Sequence, residues 1–355
     1  MFKDIYDNKK VLVTGHTGFK GSWLTQWLLE LGAEVCGYSI DIPTNPSHFE
    51  VLKLESKIKH LEGDVRDIKS LTKVFNEFQP QIVFHLAAQP LVRSSYDDPK
   101  KTFDTNVGGT VNVLECLRLS KSVEAAVIVA TDKYYENLES ETAFVESDKL
   151  GGADPYSASK AAAEIAFISY QKSFFSHQEK LKVASARAGN VIGGGDWAVD
   201  RIVPDCVRSW GNGLPVVVRS PHAIRPWQHV LEPVGGYLLL AAQLLAGDKK
   251  VIGESFNFGP LEDSSRSVAD LLEAMHSFWP KANWEVAAAA TIKKEAKVLK
   301  LNCEKALTQM GWRSQLNFKD TAKMTADWYQ KYLENPNEAA ALTLKQIKSY
   351  EKFIF

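Results

Sequence analysis

Cysteine is scarce in this chain of 355 residues: Cys36, Cys116, Cys206 and Cys303 stand far apart, and no two form a CxxC. That spacing gives no disulfide framework and no zinc-ligand pattern, so reduced thiols and no metal are expected. Net charge is almost absent, with 42 Lys+Arg against 43 Asp+Glu. Without accumulated positive charge there is no field to hold nucleic acid or an anionic membrane, and an anionic ligand must be met by local groups. Long apolar runs are missing too. The most apolar stretch, "VGGYLLLAAQLLAG", is broken by Gln243 and falls short of the roughly 20 residues that span a bilayer. The start, "MFKDIYDNKK", lacks the apolar segment of a signal peptide. A soluble cytoplasmic protein is expected. What is present is ordinary: 45% hydrophobic and 24% charged residues describe a globular chain, long enough for about two domains.

Short β-branched runs alternate with longer amphipathic segments through the first half. "KVLVTG", "EVCGYSID", "KHLEGD", "QIVFHLAA", "AAVIVAT" and "KVASARAGNVIG" read as strands. Between them, "DIKSLTKVFNEF", "TNVGGTVNVLECLRLSK" and "YSASKAAAEIAFISYQKSF" read as helices, as does the segment carrying Phe19, Trp23, Leu24, Trp27, Leu28 and Leu31. Strand and helix in alternation imply parallel βαβ units, because a parallel return needs a crossover. The fold class expected is α/β, a doubly wound parallel Rossmann sheet over residues 1–192, with a likely return near 230–260. Residues 193–355, beginning with the glycine-rich "GGGDWAVDRIVPD", are expected to form mainly a smaller substrate-binding domain.

"GHTGFKG" follows the first strand and opens the first helix, with Gly15, Gly18 and Gly21. Glycine there permits a tight turn and lets backbone amides approach a pyrophosphate at the helix N-terminus. Asp41, at the end of the second strand, suits an adenosine ribose and would repel a 2'-phosphate, which favours NAD over NADP. Asp64 either reaches the adenine edge or caps a helix. His16 and Lys20 stand where small side chains would intrude least; either both point to solvent, or they crowd or contact the cofactor. In "YSASK", Tyr156 and Lys160 are four apart on one helix face. An ammonium and a nicotinium near the phenol lower its pKa from about 10, so the pair could deprotonate an alcohol as hydride leaves. "VATDKYY" sets Thr131, Asp132 and Lys133 side by side at a strand end.

"GHTGFKG", "HLAAQ", "TDK" and "YSASK" in this order resemble the extended short-chain dehydrogenase/reductase family, specifically its nucleotide-sugar branch. Longer matches, "GHTGFKGSWL", "ATDKYYEN" and "RAGNVIGGGDWAVDRIVPD", resemble that branch's 4,6-dehydratases, and the likeness runs from about residue 9 to 260. The resemblance implies NAD as cofactor and a nucleotide sugar, CDP-glucose, as substrate; the cytidine base rests on likeness alone. It extends the cofactor lining to Thr17, Phe19, Val65, Leu86, Ala87, Ala88, Gln89 and Thr105. It makes Thr131 the partner of the tyrosine at the sugar 4-oxygen, Tyr156 the base there, and Lys160 the ribose-binding residue that tunes the phenol. Asp132 becomes the acid for the departing 6-hydroxyl. In relatives acting on thymidine sugars a glutamate follows that aspartate and takes the C5 proton. Here Lys133 occupies the place, so Lys133 and Glu136 are rival bases, and Lys133 would need burial or a neighbouring cation to act. Asn190, Arg201, Arg219 and Arg225 match positions that hold the nucleotide diphosphate, a task suited to the guanidinium fork. A 4-epimerase or a non-catalytic NAD-binding scaffold would keep the fold without needing Asp132 and Lys133. A homodimer is expected through the apolar faces of "TNVGGTVNVLECLRL" and "AAAEIAFISYQKSF".

Overall fold

The computed structural model describes residues 2–136, 142–260, 265–287 and 299–354. Six parallel strands, β1 (Lys10–Thr14), β2 (Glu34–Ser39), β3 (Lys59–Glu62), β4 (Ile82–His85), β5 (Ala125–Thr131) and β6 (Lys182–Ala188), join a seventh, Ser255–Phe258. The order across the sheet is Ser255–Phe258, β6, β5, β4, β1, β2, β3. This is the doubly wound Rossmann sheet, and its order reverses between β1 and β4, where the C-terminal ends of the strands open a crevice. β1, β4, β5 and β6 are buried nearly throughout, which explains their continuous apolar runs: helices cover both faces.

On one face, helix Gly109–Leu119 buries Val113, Leu114 and Leu117 together with Phe167 of helix Pro155–Ser173. The expected apolar faces are thus largely spent on the chain's own sheet, leaving Leu119 at 61%, Ile165 at 57% and, on the preceding turn, Phe103 at 39% exposure. The other face carries helices Phe19–Glu30 and Leu231–Ala246 in a core that also takes in Trp328 and Tyr350 from the C-terminal part. Tyr6 donates to the Leu238 carbonyl at 2.6 Å and Trp27 to Glu351 at 2.8 Å, so the chain ends meet on this core. All four cysteines are free thiols. Among the described residues no helix is long and apolar enough to cross a membrane.

Candidate active site

Gly18 is the N-cap of helix Phe19–Glu30 and offers no capping side chain, and the first turn holds no acid. Its amides and the positive end of its dipole are left for an anion. Gly15 lies at φ +75, and a Cβ there would sit 2.7 Å from the Ala87 nitrogen; one at Gly21 would sit 2.1 Å from the Gly15 carbonyl. Both glycines serve the loop's own closure. A Cβ at Gly18 would meet only the Gly15 carbonyl, at 3.4 Å, so its outer side is open to a ligand. A dinucleotide pyrophosphate fits this cradle.

His16 does not point to solvent. It is fully buried, with Nδ1 2.9 Å from Ser39 Oγ and Nε2 2.7 Å from His60 Nδ1. Burial first, then His60, lowers its pKa to about 3. The room comes from Gly37 of β2, where a Cβ would fall 2.3 Å from the imidazole. Lys20 is partly buried rather than solvated. Burial lowers its pKa to about 8, helped by Arg201 and Lys160, while Asp132 and Asp196 oppose that shift. Its charge is therefore felt among Arg201, Lys160, Asp132 and Asp196.

Thr17 donates to the Asp41 carbonyl at 2.7 Å, and Asp41 itself is exposed at the end of β2. Asp64 does not cap a helix. Asp67 does so, accepting from the Lys69 and Ser70 amides, while Asp64 is held by Arg66 Nη2 at 2.5 Å. Val65 is buried against Gly109. Leu86, Ala87, Ala88 and Gln89 follow β4; the Leu86 amide reaches the Thr14 carbonyl at 3.0 Å. The Gln89 side chain is occupied by Leu91 and Thr102. Thr105 lies in the widened turn Asp104–Gly108 that precedes helix Gly109–Leu119. Phe19 packs toward Gly193.

At the end of β5, Thr131 caps the short turn Asp132–Tyr134, accepting from the Lys133 amide and donating to Asp132 Oδ1, both at 3.3 Å. Asp132 is 1% exposed and its Oδ2 has no protein partner. Burial drives its pKa up to about 6, against the pull of Lys133 and the Thr131 hydroxyl. Pro155 starts helix Pro155–Ser173, Asp154 caps it through the Ser157 amide, and the Tyr156 amide donates to Ser95 Oγ at 3.2 Å. Lys160 Nζ reaches across to the Val129 carbonyl at 3.0 Å, tying the helix to β5.

The expected lowering of the phenol by Lys160 is not found. Burial raises the Tyr156 pKa, while Thr131 and Arg201 pull it down. Burial also lowers Lys160 to about 8, with Glu164 opposing. The chain alone therefore does not make the phenolate; that needs a further positive charge, of the kind a nicotinium provides. Burial, one of the two conditions for Lys133, is not met, because the residue is exposed on the turn. Glu136 is exposed and paired with Lys149 at 3.0 Å.

Across the crevice, Gly193–Gly195 pack without side chains because Val230, Trp328 and His48 fill the space a Cβ would need. This fixes the loop that carries Asp196, which holds Arg201 at 2.8 Å. Asn190 presents a buried Oδ1 without a protein partner. Arg225 lies in the strand Ile224–Pro226, and its Nη1 donates to the Ile224 carbonyl at 2.9 Å. Arg219 is exposed, 3.7 Å from Asp200. Asp200 also binds Arg93 at 2.5 Å, a residue that sequence reasoning missed. Ser95 and Asp196 were missed as well: nothing in the local sequence shows that Ser95 meets Tyr156, 61 positions on, or that the glycine-rich loop turns Asp196 onto Arg201.

A family model described as GDP-mannose 4,6 dehydratase matches residues 12–325. The chain is 44% identical over 336 residues to the CDP-glucose 4,6-dehydratase of Salmonella typhimurium, covering 93% of each. Among solved structures it resembles the UDP-glucose 4-epimerase of Thermus thermophilus in complex with NAD, at a TM-score of 0.78 and 26% identity, covering 90% of this chain and 99% of that one. The fold also matches the dTDP-glucose 4,6-dehydratase of Bacillus anthracis in complex with NAD, at a TM-score of 0.76 and 22% identity, with 92% and 98% covered.

Proposed function

The chain belongs to the GDP-mannose 4,6-dehydratase family of extended short-chain dehydrogenases/reductases, and we propose that it converts CDP-glucose to CDP-4-keto-6-deoxyglucose and water. The observation that carries the elimination is the buried Asp132 carboxyl, whose Oδ2 has no hydrogen-bond partner and which is held near pKa 6 beside Thr131. A general acid works best when its pKa lies near the working pH. A 4-epimerase would use Tyr156 and Lys160 but has no need of such an acid.

Gly15, Gly18, Gly21 and the helix they open hold NAD, with Asp41 toward its ribose and Asp64, Val65, Leu86–Gln89 and Thr105 along its length. Bound NAD would supply a hydride acceptor at C4 and return the hydride to C6, where reduction is completed by a proton restored to C5, so oxidation and reduction cancel. Tyr156 takes the 4-hydroxyl proton while Thr131 holds the same oxygen. The resulting C4 ketone acidifies C5–H. Lys133 takes that proton, with Glu136 as rival, as Asp132 gives its own proton to the leaving 6-oxygen and water departs. Asn190, Arg201, Arg219 and Arg225 hold the nucleotide diphosphate by paired charge-assisted bonds. Residues 1–192 with the returning strand thus serve the cofactor, and 193–355 mainly the nucleotide sugar. We further propose a cytoplasmic homodimer.

The test is incubation with CDP-, UDP-, dTDP- and GDP-glucose and NAD+, followed by mass and NMR analysis. CDP-glucose should yield a product lighter by one water; release of no water from any of the four overturns the reading. In the same assay Lys133→Met should still oxidise C4 but lose solvent deuterium exchange at C5. Retained exchange there, with loss in Glu136→Gln, moves the base to Glu136.

A further inference from the structure

Arg187 Nη2 lies 2.9 Å from Glu164 Oε1, with both side chains enclosed at 2% and 1% exposure. A buried ion pair is weak evidence for stability, because apolar residues of similar volume often serve as well or better. Its place in the fold gives another reason for it. Glu164 stands four residues after Lys160 and eight after Tyr156 on helix Pro155–Ser173, which brings all three to one side. Its Oε1 also accepts from Ser185 and Ser255, each at 2.7 Å, while Oε2 has no partner. Arg187 lies opposite Ala130 in the pairing of β5 with β6, one residue before Thr131. Its Nη1 donates to the Tyr135 hydroxyl at 2.6 Å and to the Glu146 carbonyl at 3.0 Å. The guanidinium also covers the rings of Tyr134 and Tyr135, at 5.1 and 5.3 Å. Tyr135 in turn donates to Asn257 of the seventh strand at 2.7 Å. The turn Asp132–Tyr134 is therefore fixed in front by Thr131 and behind by Arg187.

We propose that Arg187 and Glu164 are positioning residues of the active site: Glu164 keeps the Lys160 ammonium charged, and Arg187 balances Glu164 while holding the catalytic turn through Tyr135. This rests on the dehydratase reading. Among the described residues, the charged and titratable groups around Lys160 are Lys20 from helix Phe19–Glu30, His85 from β4, and Tyr156 and Glu164 from its own helix. His85 is kept neutral by burial, with Lys160 adding to the effect, and Lys20 repels. Glu164 is the carboxylate that favours the ammonium, and Lys160 already titrates at about 8. Taking Glu164 away would leave Arg187 uncompensated and release the Lys160 proton at lower pH.

The experiment is kcat against pH for wild type, Glu164→Gln, Arg187→Met and the double variant, with amide hydrogen exchange of the segment 129–136 in the same proteins. In Glu164→Gln the alkaline limb should move down by about one pH unit, a tenfold change in the acidity constant. The double variant removes both charges together and should return the limb to its wild-type place. Arg187→Met, alone and in the double, should speed exchange in 129–136. Should Glu164→Gln fail to fold, Arg187→Met moves the limb upward instead, because the carboxylate is left unpaired. A uniform drop in kcat with every limb in place, or unchanged exchange, overturns the proposal. Wild-type protein that releases no water from CDP-glucose overturns the dehydratase reading, and the exchange measurement then decides the pair by itself.

Discussion

Asp132 shows how burial can raise a carboxyl into the range in which a general acid works. An unfolded aspartate titrates near 3.9, and in the folded chain the value is about 6. A raised folded pKa means that the folded state binds the proton more tightly. Its contribution is fully present below about pH 4 and is lost as pH rises through about 6. Asp132→Asn has no such titration. Its stability relative to wild type should therefore increase between pH 4 and 6.5, by at most ~3 kcal/mol for a two-unit shift, and stay level above. Urea unfolding midpoints at pH 4, 5 and 6.5 measure this, and a constant difference across the range counts against a buried proton on Asp132. The same variant should keep C4 oxidation and slow water loss by roughly 10²–10⁴-fold.

Among the elements, the strand–loop–helix unit from Lys10 to Glu30 separates two uses of glycine. Gly21 must be glycine for packing, since its Cβ would strike the Gly15 backbone, whereas Gly18 has an ordinary φ of -74 and room on its outer side. Gly21→Ala should lower stability by about 1–3 kcal/mol through overpacking. Gly18→Ala should leave the melting temperature nearly unchanged and weaken NAD binding more than tenfold by calorimetry. Equal NAD affinity in Gly18→Ala and wild type would remove the pyrophosphate from this helix start. The loop's spacing was legible in the sequence because turn, strand and helix are all local. The direction of His16 was not, although Gly37 within β2 was a signal: a glycine inside a strand often marks a close approach, here by that imidazole.

For the whole molecule the expected outcome is a dimer. The outward faces left over after the sheet is covered are narrow, with Phe103, Leu119 and Ile165 exposed. Apolar side chains of this size on neighbouring helices are what a helix bundle between two copies would bury. Sedimentation equilibrium at micromolar concentration should give twice the chain mass of 39.5 kDa, and Ile165→Glu should shift it toward the monomer. A wild-type monomer across that range counts against the bundle.

The sequence by itself determined the Rossmann sheet, the glycine cradle, the Tyr156–Lys160 pair and the Thr131–Asp132 strand end. Each is written in residues a few positions apart, where periodicity and spacing act directly. The tertiary structure alone decided which of those groups lose water. Asp132 and Lys160 are enclosed and titrate far from their ordinary values, while Lys133, next in sequence to Asp132, stays exposed. It alone joined Arg93 to Asp200 across 107 positions and Arg187 to Glu164 across 23. Burial and ion pairing depend on what the rest of the chain brings against a side chain, and no local pattern encodes that.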